Sequence, residues 1–171
     1  MKKKQIRLMC ISSLLTALVF VVTAYLHIPT YNGYVHVGDA FIFIAACLLP
    51  MPYSIFVGAV GALLADLLTG FAIWAPGSMI IKAAIAMLFS CKGAKILRPR
   101  NIWMLLPAAT ITIAGYYLYE VLITGSFVAS LSGIPGNTIQ AFASGFVFII
   151  LGLFLDKVHA KKALSDVQML H

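Results

Sequence analysis

The sequence predicts an all-α integral membrane protein: one domain over residues 1–171, a bundle of six transmembrane helices with both termini cytoplasmic. Three observations predict it. The 171 residues are 62% hydrophobic and 10% charged, too apolar to cover the surface of a soluble domain. The apolar residues gather into six runs, about 8–28, 39–49, 52–69, 76–90, 102–124 and 137–155. The basic residues lie between those runs, on alternate connections.

That alternation sets the sidedness. Lys2, Lys3, Lys4 and Arg7 precede the first run, Lys92, Lys95, Arg98 and Arg100 separate the fourth from the fifth, and Lys157, Lys161 and Lys162 follow the sixth. Six crossings put all three clusters on one side, and the loops of the other side then hold no Lys or Arg. The second and fourth runs fall short of the ~20 residues of a full crossing, so they are expected to be tilted, or broken and buried by their neighbours. A four-crossing count would merge or demote them, at the expense of the charge pattern. The net charge of +7 therefore reads as topology, with the lipid bilayer as partner and no nucleic acid.

At the N-terminus, MKKKQIR and the apolar run after it resemble a signal peptide. The run exceeds the usual ~7–15 residues and no A-x-A site follows, so it is expected to stay as the first membrane helix. Cys10, Cys47 and Cys91 lie in or beside apolar runs without a CxxC and read as small core residues. His27 and His36 fall outside, His159 and His171 inside, so no histidine metal site is expected, and no cofactor.

Residues 38–82 organise the rest. This apolar stretch carries Asp39, Asp66 and Lys82, and ionisable groups in a membrane mark function by default. The predicted topology puts them with Glu120, Asn137 and Gln140 in the outer third, at one depth, as a binding pocket. Asp39 and Asn137 also stand where helix caps belong, and a purely structural Lys–carboxylate pair would explain Lys82. The first outer loop offers Pro29, Tyr31, Asn32, Gly33, Tyr34 and His36 to cap a pocket; an aromatic belt at the interface is their alternative role. The third, GFAIWAPG, is apolar and expected to fold back on protein, with Trp74 as a flat face for a ring; an interfacial anchor is its alternative role. The fifth, GSFVASLSGIPGN, is small and uncharged, as suits a flexible gate. Gly58/Ala62, Gly61/Ala65 and Ser13/Ala17 have the spacing of close helix contacts. There is no nucleotide-binding, hydrolase or zinc motif, and no inverted repeat.

VHVGDAFIFIAACLLP followed by GAVGALLADLLTGFAIWAPGSMIIK resembles the substrate-binding S components of energy-coupling factor (ECF) vitamin transporters. The likeness is greatest to the hydroxymethylpyrimidine or pyridoxine group within the riboflavin-type set. The resemblance implies a six-helix, non-enzymatic subunit in the plasma membrane of a prokaryote. It would hold a small aromatic vitamin at the extracellular side and deliver it inward by toppling, together with a T component and two ATPases. Ser13 and Ala17 match the family's contact to the T component, with Ser13 in place of the usual Ala. Trp74 would stack on the ligand ring, and Asp39, Glu120, Asn137 and Gln140 would bond its amino or hydroxyl groups. Lys82 would meet a ring oxygen, or neutralise Asp66 or Glu120. Riboflavin or another vitamin is the alternative ligand. The rival classes are an intramembrane enzyme using Asp66, Lys82 and Glu120, and a stand-alone carrier or channel. A channel should be polar through its full depth, whereas here the inner part is apolar.

Overall fold

The computed structural model describes residues 3–30 and 33–169. All six apolar runs are helical. They form α1 (Lys3–Tyr25), α2 (Gly38–Leu48), α3 (Met51–Leu68), α4 (Ala75–Leu88), α6 (Leu105–Thr124) and α7 (Ile134–Lys157). A short α5 (Pro99–Trp103) leads into α6, and α8 (Ala160–Met169) follows α7. Among the described residues, four stretches are long and apolar enough to cross a membrane: Lys3–Tyr25, Met51–Leu68, Pro99–Thr124 and Ala129–Lys157. Leu14, Leu122 and Phe142 stand exposed on three of them. Such apolar outer surface is a liability in water and a solvation match in lipid.

α2 and α4 are the shorter apolar helices. The 11 residues of α2 rise about 16 Å, roughly half of a ~30 Å hydrocarbon core. Its surroundings explain why so short a helix is tolerated. Nine of those 11 residues are buried, and α2 packs against α1, α3, α4 and α7. It is a central post, and its backbone ends meet protein rather than lipid. Around it run the contacts α1–α3, α3–α4, α4–α6 and α6–α7.

Small residues set the closest of these contacts. Gly58 and Gly61 lie on two faces of α3. A side chain at Gly58 would put its Cβ 2.9 Å from the backbone oxygen of Lys82, and one at Gly61 would lie 2.7 Å from Val19 of α1. The apolar core fills the C-terminal half of α2, where Phe43 stacks on Phe89 at 4.5 Å and meets Phe148 edge-on at 5.8 Å. At that end Asp156 accepts from the N–H groups of Ile96 (2.7 Å) and Leu97 (3.0 Å), and Asn101 bonds Ser90 and Ile96. These contacts fix the connection between α4 and α5.

The structure departs from an all-α reading in the first outer loop. His27–Thr30 (β1) and Gly33–His36 (β2) pair antiparallel, Ile28 opposite Val35. β-Branched and aromatic residues flanking a turn-forming stretch favour such a hairpin. The connection between α6 and α7, expected to be a flexible gate, holds a helical turn. Residues Ala129–Gly133 form a 3₁₀ turn, and Ser130, fully buried, donates to Ser126 O at 2.9 Å.

Gly58→Val should lower the melting temperature in detergent, because overpacking against backbone costs about 1–3 kcal/mol. Leu64→Val, on the exposed side of the same helix, should stay within about 0.5 kcal/mol of the parent.

Candidate functional site

Polar residues of five helices and of the hairpin meet at the hairpin end of the bundle. Four features of the local structure bring them there. α2 starts immediately after the hairpin, so Asp39, in its first turn, begins deep and is 1% exposed. Gly58 lets α4 lie close on α3, which seats Lys82 against the centre. The buried residues of α6 are Ala108, Thr112, Tyr116 and Glu120, a single line at four-residue spacing that aims Tyr116 and Glu120 inward. Gly133 leaves room beside Glu120, whose carboxylate occupies the place a Cβ would take.

Lys82 Nζ contacts Asp39 Oδ1 at 2.8 Å and donates to Oδ2 at 2.9 Å, with both side chains 1% exposed. Gln140 Nε2 donates to Asp39 Oδ2 at 3.3 Å. The Lys82 ammonium also lies 4.9 Å from the centroid of the Tyr116 ring, a cation–π distance. Tyr116 and Ser78 hydroxyls are 2.9 Å apart. This node ties α2, α4, α6 and α7 together.

Beside it is a partly open cavity of about 70 Å³, several times the space one water needs. Its walls include Trp74, Asp66, Glu120, Asn137, His36 and Gln140. Tyr34, from the hairpin, donates its hydroxyl to Asp66 Oδ1, while Asp66 Oδ2 is buried without a hydrogen bond. Tyr34 packs on Phe71 at 4.9 Å and on His27 at 4.7 Å. Trp74 stands at the start of α4, 6.2 Å from the ring of Tyr116. Tyr119 holds the connection before it by donating to Ile73 O at 2.8 Å. The apolar third loop is thus folded back on protein, although Ile73 itself is exposed. His36 is buried, and its Nδ1 accepts from the Gly38 N–H at 3.0 Å. Burial lowers its pKa from 6.5 to about 4, so the ring is neutral at ordinary pH. The Tyr34 hydroxyl is pushed up by burial and then by the Asp66 charge, and remains a donor.

Two expectations need correction. Asp39 and Lys82 are not among the residues that line the cavity, and the carboxylate that Lys82 bonds is that of Asp39. The reason is depth. Lys82 lies seven positions into α4, about 10 Å of rise rather than one turn, and the short central α2 brings Asp39 down to meet it. Trp74, Asp66, Glu120, Asn137, Gln140 and His36 do share the cavity. Tyr31 lies outside the described residues. Ser13 and Ala17 are elsewhere, exposed on α1, while Ser12, Thr16 and Val19 turn inward.

The sequence reading offered Tyr34 as part of a capping loop and missed Phe71, Ser78 and Tyr116 as wall residues. For two of them a signal was present: Ser78 precedes Lys82, and Tyr116 precedes Glu120, by four positions, which places each pair on one helix face. Among the described residues no group of three or more His, Cys, Asp or Glu side chains could hold a metal.

The sequence matches the family of ECF-type riboflavin transporter S components over residues 3–157. No curated protein matches it. Among solved structures, one described as "Structure and mechanism of the S component of a bacterial ECF transporter" aligns with a TM-score of 0.71 at 21% identity, covering 90% of this chain and 98% of that one. At that identity the likeness shows a shared fold.

Lys82→Met should strand a buried carboxylate and lower stability by about 3–5 kcal/mol. The double variant Lys82→Met/Asp39→Asn should lose much less than the sum of the two single changes. Thermal unfolding in detergent across this cycle measures the coupling.

Proposed function

Because the chain belongs to the family of ECF-type riboflavin transporter S components, we propose that it captures a small single-ring vitamin or vitamin precursor, of the hydroxymethylpyrimidine or pyridoxine kind, in the cavity at the hairpin end. Family membership makes it a substrate-binding subunit of a vitamin transporter and not an enzyme. The observation that carries the ligand reading is the cavity itself: about 70 Å³ and partly open, with Trp74 and Phe71 beside Asp66, Glu120 and Asn137 in its wall. Aromatic faces give a flat ring its contact area, and the convergent polar groups fix its orientation. Riboflavin is the second reading, favoured by the description of the family.

In this proposal the chain crosses the plasma membrane of a prokaryote six times as one domain. Both termini and the Lys92–Arg100 connection are cytoplasmic, and the cavity faces outward. The absence of basic residues from the connections at the cavity end supports this orientation. The apolar core at the opposite end seals the cavity from the cytoplasm, so delivery requires the whole subunit to move. A T component and two ATPases would supply that movement. Ser13 and Ala17 are the proposed contact, because α1 turns its other face to α3 and leaves these small residues outside.

Two experiments follow. Titration of tryptophan fluorescence with pyridoxine and hydroxymethylpyrimidine should give saturable binding to the parent. Trp74→Ala and Glu120→Gln should weaken it by roughly 5- to 150-fold, with melting temperatures close to the parent's when no ligand is present. Unchanged affinity in both variants would place the site elsewhere. Separately, Ser13→Leu/Ala17→Leu should abolish co-purification with T component and ATPases while ligand binding persists. Undiminished co-purification would remove that helix face from the interface.

A further inference from the structure

Asp66 lines the cavity wall, and among the described residues no Lys or Arg does. The nearest buried cation, Lys82, is bound at both oxygens of Asp39. His36 is held neutral, and its Nδ1 is already engaged by the Gly38 N–H. Asp66 adds a second, independent feature. It is 4% exposed, its Oδ1 takes the Tyr34 hydroxyl, and its Oδ2 has no hydrogen-bond partner in a wall that faces open space. A buried carboxylate oxygen without a donor is costly, and a donor carried by a bound molecule would complete it.

We infer that the cavity selects ring compounds carrying an ammonium, a protonated ring nitrogen or an aromatic amine, and rejects the same rings carrying a carboxylate or phosphate. This rests on the reading of the cavity as the vitamin site and narrows it to a charge class. The donor of the ligand meets Asp66 Oδ2, and the ring lies toward Trp74. Tyr34 takes part through Asp66: its hydroxyl engages one carboxylate oxygen and orients the other toward the cavity. The site differs from one for anionic vitamins, which would need an arginine or a lysine free to pair with the ligand.

The test uses three pyridines that share one ring and differ at one substituent: pyridoxamine with an aminomethyl group, pyridoxine with a hydroxymethyl group, and 4-pyridoxate with a carboxylate. Binding is measured by calorimetry on the unaltered protein in detergent, near neutral pH. Pyridoxamine should bind at least about tenfold tighter than pyridoxine, and 4-pyridoxate at least about tenfold weaker. In Asp66→Asn the advantage of pyridoxamine over pyridoxine should vanish while pyridoxine still binds. Equal or tighter binding of 4-pyridoxate overturns the inference, and so does an amine preference that survives in Asp66→Asn. Because the ligand series needs no variant, it decides the matter even where Asp66→Asn does not fold. Riboflavin and its 5′-phosphate separate the two levels of the proposal. If riboflavin binds and the pyridines do not, the single-ring reading fails. The exclusion of anions is then read from the flavin pair, where the phosphate must bind at least about tenfold weaker and equal binding overturns it.

Discussion

The buried pair of Lys82 and Asp39 is the constraint on which the rest of this structure depends. Two opposite charges, each 1% exposed, are held at 2.8 Å inside a chain whose outer surface is largely apolar. Such a pair adds little stability over an apolar substitute, yet breaking it is expensive. Its effect is therefore on arrangement: α2 and α4 must be seated together, and α7 must deliver Gln140 to the same carboxylate. The short central helix then makes sense. A helix of 11 residues reaches the pair by starting inside the bundle, and the hairpin before it covers the distance from the end of α1.

Charge neutralisation inside the pair also shapes the cavity next to it. With Lys82 committed to Asp39, the cavity wall beside Asp66 holds no lysine or arginine among the described residues. The separation of the buried ion pair from the carboxylates of the cavity wall is set by depth along α4 and by the approach that Gly58 allows.

Much of the architecture was legible in the sequence because bilayer solvation imposes it. Apolar runs become helices, and the six runs coincide with six helices to within a few residues at most ends. The convergence of Asp66, Trp74, Glu120, Asn137 and Gln140 was also readable, since each lies near the same end of its helix. The identity of the ion pair was not. Hydropathy places Asp39 at an interface, and only three-dimensional packing shows that α2 is a buried post. Tyr116 and Ser78 were hidden for another reason: Tyr and Ser are ordinary residues in membrane helices, and their role emerges only from their spacing to Glu120 and Lys82. The hairpin escaped because a turn-rich, aromatic stretch between helices resembles an interfacial loop until its strands are seen to pair.

The account comes down to which molecule the cavity retains. The most direct measurement is mass spectrometry of the small molecules released by denaturing protein that was purified in mild detergent from cells grown in rich medium. The account predicts a single-ring compound bearing an amine or a basic ring nitrogen, in amounts near one per protein, and its loss from Asp66→Asn protein. A retained compound carrying a carboxylate or phosphate, at the same occupancy in parent and variant, would contradict it.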